Sequence, residues 1–211
     1  MKLLFLQTHG VSFSDIAPWM DTLPVERQAF ILQFRRESDR VERLCAERLL
    51  RCTLCSRLGC EPKALRIARH RFGKPYLPDN PALHFSLSHT KGAVLAAISD
   101  MGRIGADCER RSDAPELVDG FATQEQAFYR KVPPAERPTR FTSLWTRKEA
   151  YGKCIGTGLS DAVLAANTCA PVFLRHVHQV WYQGYLCTVW AEHPAALRSI
   201  EWTEVRLSDI C

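Results

Sequence analysis

Ile104-Gly105-Ala106-Asp107-Cys108-Glu109 alternates around Gly105 with the two-residue period of a β-strand, so Asp107 and Glu109 stand side by side on one face. Working back from it, Ala93 to Ser99 is apolar and β-compatible, and Leu83 to Ser88 alternates again. Turns at Thr90-Lys91-Gly92 and Asp100-Met101-Gly102 separate the three runs, which predicts an antiparallel meander. Further back lies a loop dense in Gly and Pro at 72–81. Before it come an amphipathic helix from about Ser38 to Leu58 stopped by Gly59, a shorter one over 23–34, and a first strand in residues 1–6.

Working forward, Thr123 followed by Gln126 has the spacing of a capping box and predicts a short helix. Arg140 to Ile155 predicts a second, with Phe141, Leu144, Trp145, Lys148 and Tyr151 at helical intervals and Gly156-Thr157-Gly158 beyond its end. Strands are expected at 172–174, 179–182, 185–190 and 200–202. Each half therefore holds helices and several strands, which predicts an α+β protein of two similar α/β subdomains, 1–105 and 106–211. The strand carrying Asp107 and Glu109 falls at the seam.

A chain of 211 residues with 46% hydrophobic content can bury a substantial core. The net charge of +5 favours anionic partners, yet basic residues are interspersed with acidic ones and form no run or aromatic-interleaved stripe, which argues against nucleic acid. The apolar start ends at Gln7, too soon for a secretory segment, and no stretch approaches the ~20 apolar residues of a membrane span. That predicts a soluble protein, and nine cysteines without framework spacing predict reduced thiols and a cytoplasmic home. Cys52-Thr-Leu-Cys55 lacks a second pair, and Cys45, Cys52 and Cys55 fall where small apolar helix residues belong.

Two aligned carboxylates suit a hard cation such as magnesium, although read alone Asp107 and Glu109 are an ordinary solvated pair. Glu149 and Lys153, four apart on the predicted helix, share a face. Glu149 would complete a carboxylate set, and Lys153 would offer a cationic donor to a phosphate or a leaving oxygen. Ser88 and His89 end a strand at a turn, and Lys74 is held in a rigid Gly-Lys-Pro loop.

In order along the chain, Phe72-Gly73-Lys74-Pro75, Phe85-x-Leu87-Ser88-His89, Ile104-Gly105-x-Asp107-x-Glu109, Phe121-x3-Glu125 and Trp145-x2-Lys148-Glu149-Ala150-x2-Lys153 closely resemble the 4′-phosphopantetheinyl transferases of the Sfp type. The resemblance implies a monomer of two pseudo-twofold-related subdomains, with coenzyme A and magnesium in the cleft between them. It implies transfer of phosphopantetheine from coenzyme A to a serine of an apo carrier protein, with release of adenosine 3′,5′-bisphosphate. By matching positions, Asp107, Glu109 and Glu149 would bind magnesium, and Glu149 would also be the favoured base, directly or through a water. Lys153 would stabilise the transferring or departing phosphate, and Lys74, Ser88 and His89 would contact the nucleotide phosphates of coenzyme A. Glu125 matches an acidic position without a firm role.

The chain departs from the family where basic residues hold the 3′-phosphate. Those places fall near Glu26, Ala29 and Glu42, leaving Arg27, Arg40 or Arg43 to serve from neighbouring positions. Which carrier is served is open, and an acidic one suits this basic chain. Two other readings of the same residues are a magnesium phosphohydrolase or nuclease, and a coenzyme A- or carrier-binding module without catalysis.

Overall fold

The computed structural model describes residues 1–210; Cys211 lies outside the described residues. Among the described residues nine strands form two main sheets and one short hairpin. The first sheet has the order β4-β5-β1-β9, with β1 at Lys2–Gln7, β4 at His84–Thr90, β5 at Ala93–Ser99 and β9 at Glu201–Val205. β5 runs antiparallel to both β4 and β1, whereas β1 and β9 are parallel, with Lys2 opposite Glu201. The second sheet has the order β6-β8-β7, all antiparallel, with β6 at Ile104–Arg110, β7 at Val177–Tyr182 and β8 at Tyr185–Ala191.

The two-residue period of β1 explains the layering. Leu4 and Leu6 face a core shared with the long helix Glu37–Leu58, through Leu44, Leu49, Leu50 and Leu54. Leu3 and Phe5 face the other way, into a core shared with Ile104, Ala106 and Cys108 of β6 and with Tyr185, Cys187 and Val189 of β8. The two sheets thus meet face to face, each contributing alternate residues. Every residue of β5 is buried, as expected of a strand covered on both faces.

The outer face of β6 receives the second long helix, Arg137–Ile155. Gly105 permits this contact: a Cβ there would lie 1.9 Å from the Ala150 carbonyl oxygen and 2.5 Å from the Cys154 amide nitrogen, so the helix backbone rests directly on the strand. Both long helices end in a left-handed glycine, Gly59 and Gly156. The result is the α+β arrangement of two helix-and-sheet units expected from the sequence. β9 returns from the C-terminal part of the chain to pair with β1, and β6 begins at Ile104.

Four local expectations need correction. β6 does not continue the β4–β5 meander; it pairs with β8, Asp107 opposite Thr188. The 72–81 loop contains β3 at Pro75–Tyr76, which forms a small hairpin with β2 at Ala68–Arg69. Residues Pro171–Leu174 form a single helical turn, with Pro171 in the first position where proline needs no amide partner. Thr123 is the first residue of its helix, Thr123–Arg130, and the capping contact is made instead by Glu125, whose carboxylate accepts from the Ala122 amide at 3.2 Å.

Cys45, Cys55, Cys108, Cys154 and Cys187 are buried thiols that pack as small apolar residues. Burial pushes Cys45, Cys55 and Cys187 up to about 12. Among the described residues no helix is long and apolar enough to cross a membrane.

Candidate functional site: a carboxylate–lysine centre in a cationic cleft

The centre lies where the edge of the first sheet meets the edge of the second. Asp107 is 2% exposed. Its Oδ1 accepts from Ser88 Oγ at 2.7 Å and from Lys153 Nζ at 2.7 Å, and Lys153 also donates to Ser88 Oγ at 3.0 Å. Its Oδ2 is buried with no hydrogen-bond partner. A buried carboxylate oxygen left unpaired carries a desolvation cost and needs an explanation.

Glu109, two residues on, accepts from Thr90 Oγ1 at 2.9 Å. Burial, and then the neighbouring Asp107 charge, push Glu109 up to about 7. Burial likewise raises Glu149, with Asp107 adding to the shift and Lys153 opposing it. For Lys153 burial works against the charged form, but Asp107 and Glu149 outweigh it and hold the ammonium above its ordinary value. Three carboxyl groups and one ammonium therefore share a half-dry space.

A cleft of about 380 Å³ opens beside this centre, lined by Arg27, Arg43, Arg69, Lys74, His89 and Lys153 among others. Burial pulls His89 down to about 4, helped by the Arg43 and Lys153 charges, so its imidazole is neutral near pH 7. Two expected residues are placed otherwise. Lys74 borders the cleft, but its ammonium donates to the Cys154 carbonyl at 2.7 Å and the Ile104 carbonyl at 3.2 Å, tying the loop to the seam. Arg40 stacks over Phe13 at 5.1 Å and is not among the lining residues, whereas Arg43 is. Arg69 was not singled out from the sequence. Its signal is only its place three residues before Phe72-Gly73-Lys74, on the strand that pairs with Pro75–Tyr76 of that loop.

Glu125 has a structural part. Its Oε2 pairs with Lys148 Nζ at 2.6 Å, both side chains being fully buried, and its Oε1 accepts from the Thr168 amide at 2.9 Å and from the Thr168 hydroxyl. Lys148 also donates to the Leu164 carbonyl at 2.6 Å and the Ala166 carbonyl at 2.8 Å. The pair thereby joins two helices and the 163–168 segment one residue away from Glu149.

Among the described residues no three His, Cys, Asp or Glu side chains form a preassembled metal cluster. Magnesium does not demand one, since it is commonly held by one or two carboxylates together with waters and substrate phosphates. The donor set is all oxygen, and the unpaired Asp107 Oδ2 is an acceptor of the required kind. The residues therefore fit a hard divalent cation.

Fold and site together define a two-unit α/β protein with a carboxylate–lysine centre in a cation-lined cleft. Residues 11–100 match the family described as 4′-phosphopantetheinyl transferase, N-terminal, and residues 103–192 match the 4′-phosphopantetheinyl transferase superfamily. The chain is 38% identical over 155 residues to the L-aminoadipate-semialdehyde dehydrogenase-phosphopantetheinyl transferase of Eremothecium gossypii, covering 69% of this chain and 55% of that protein. It is 34% identical over 119 residues to the 4′-phosphopantetheinyl transferase HetI of Nostoc sp., covering 53% of this chain and 50% of HetI. It is 27% identical over 144 residues to the 4′-phosphopantetheinyl transferase Sfp of Bacillus subtilis, covering 67% and 64%. The chain thus spans about half to two thirds of the length of these relatives. It belongs to the 4′-phosphopantetheinyl transferase superfamily.

Proposed function

We propose that this protein is a magnesium-dependent 4′-phosphopantetheinyl transferase, which moves phosphopantetheine from coenzyme A to a serine hydroxyl of an apo carrier protein and releases adenosine 3′,5′-bisphosphate. The observation that supports it most is the buried, unpaired Asp107 Oδ2 beside the Lys153 ammonium at the end of a cationic cleft. Arg27, Arg43 and Arg69 would hold the phosphates of coenzyme A, with neutral His89 as a hydrogen-bonding partner. Asp107, Glu109 and Glu149 would hold magnesium, whose charge would offset that of the pyrophosphate.

The remaining steps belong to side chains. Glu149, whose proton affinity is raised by burial, accepts the proton of the carrier serine as its oxygen attacks the β-phosphorus. Lys153, kept charged by Asp107 and Glu149, donates to the departing phosphate oxygen. The net charge of +5 favours an acidic carrier, and the buried thiols suit a reducing cytoplasm. We take the working form to be a monomer, as the resemblance to the Sfp-type transferases implies.

The test is mass spectrometry of apo fatty-acid, polyketide and peptide-synthetase carriers incubated with the protein, coenzyme A and magnesium. One added phosphopantetheine on at least one carrier is expected. Unchanged carriers in all three classes, with the protein folded, would remove the proposal.

A further inference from the structure

β4 and β6 belong to different sheets, and among the described residues no backbone ladder joins them. Their seam is closed by hydroxyls instead. Phe85 of β4 points into the core under the first long helix, so the alternate residues Ser86, Ser88 and Thr90 point towards β6. Ser86 Oγ accepts from the Ala106 amide at 2.9 Å, Ser88 Oγ donates to Asp107 at 2.7 Å, and Thr90 Oγ1 donates to Glu109 at 2.9 Å. Three consecutive steps of one strand face therefore set three positions of the strand that carries the acids.

The two carboxylates are not anchored equally. Asp107 Oδ1 receives both Ser88 and Lys153. Among the described residues, Thr90 is the hydrogen-bond donor on the Glu109 carboxylate. A glutamate has one more rotatable bond than an aspartate, so the longer acid has the lighter tether. Thr90 is suited to hold it, because a β-branched side chain in a strand has few χ1 choices.

The turn behind Thr90 is itself clamped. Tyr185 Oη donates to the Lys91 carbonyl at 2.9 Å, and the Gly92 amide donates to the buried Glu42 at 3.1 Å. Gly92 has φ +88°, and a Cβ there would lie 2.5 Å from His9 Nε2 and 2.7 Å from Tyr185 Oη, so the turn is pressed against both side chains. The hydroxyl on Glu109 is presented from a fixed base rather than a loose loop tip.

We propose that Thr90 is a positioning residue that fixes the Glu109 carboxylate for the divalent cation, with the 90–92 turn clamped by Tyr185 and Glu42 as its support. This rests on the metal site proposed above. Loss of an outer partner of a metal-binding carboxylate typically costs 10–100-fold in affinity.

The experiment titrates the full chain with Mn²⁺ alone, without coenzyme A, and follows free Mn²⁺ by electron paramagnetic resonance. Thr90→Val is expected to weaken Mn²⁺ binding about 10–100-fold, and Thr90→Ser to stay within about threefold of the parent. Thr90→Ala, which cannot overpack the seam, should follow Thr90→Val. Circular dichroism melts should coincide for all four proteins. Mn²⁺ binding by both Thr90→Val and Thr90→Ala equal to the parent would overturn the proposal. A parent protein that binds no Mn²⁺ would overturn it too, together with the metal site. Thr90-dependent Mn²⁺ binding in a protein that modifies no carrier would sustain the role of Thr90 while removing the transferase reading.

Discussion

Five residues apart on one helix, Lys148 and Lys153 each meet a buried carboxylate, and the two pairs are finished differently. Lys148 has Glu125 and two backbone carbonyls at 2.6–2.8 Å, and both oxygens of Glu125 accept hydrogen bonds. Lys153 has Asp107 and Ser88, but the second oxygen of Asp107 has nothing. A fully satisfied buried pair is a joint, and its cost of desolvation is met by its own partners. The leftover oxygen of Asp107 is the acceptor that the proposed cation would complete. The same chemistry, lysine against acid, serves packing at one point and a site at the other.

The sharpest way to break this contrast is at the unsatisfied end. Asp107→Asn should lower carrier modification by at least about 1000-fold and cost less stability than the loss of Lys148, because the fold holds only one of its two oxygens and Lys153 keeps Glu149 as a neighbouring acid. A large fall in melting temperature would show Asp107 to be a joint after all. At the satisfied end the order reverses. Lys148→Met leaves Glu125 buried without its cation and should cost about 3–5 kcal/mol in urea denaturation, whereas Glu125→Leu with Lys148→Met should recover most of that loss. If the single and double variants are equally destabilised, the pair is not the joint described.

Gly105→Ala sharpens the comparison from the strand side. Its methyl group would meet the Ala150 carbonyl at 1.9 Å, so the helix carrying both lysines must shift. About 1–3 kcal/mol of destabilisation is expected, with carrier modification falling further than stability alone explains. The smallest effect concerns protons. Glu109, pushed up to about 7, must lose a proton to take a cation, so Mn²⁺ affinity should fall up to about tenfold per pH unit below 7. In the metal-free protein the folded state is the better proton binder at this position. Its contribution to stability therefore declines as pH rises from 4.5 towards 7, and Glu109→Gln should flatten both profiles.

Much of the site was legible because it is written in short periods. A two-residue strand period aligns Asp107 with Glu109, and a four-residue helix period aligns Glu149 with Lys153. The cationic cleft was less legible. Arg69 reaches it from a two-residue strand, too short to show alternation, and Arg40 and Arg43 are indistinguishable until the packing of Phe13 and Phe34 is known. The Glu125–Lys148 joint had a signal that propensity obscured: Lys148 stands at a helical interval with Phe141 and Leu144, on the buried face, and a lysine there needs an acid. Glu125 instead drew attention as a family position near a helix start. Val172-Phe173-Leu174 reads as strand on composition, but its exposed Val172 and Leu174 and the preceding proline settle it as a helical turn. The switch of β6 from β5 to β8 is a long-range pairing that no local pattern encodes.

What completes Asp107 Oδ2 is read directly by anomalous X-ray scattering from crystals grown with Mn²⁺ and coenzyme A. The predicted result is one manganese peak at direct coordination distance from Asp107 Oδ2 and bridged to the pyrophosphate. A protein with coenzyme A bound, no manganese at this position and Asp107 Oδ2 still unpaired would contradict it.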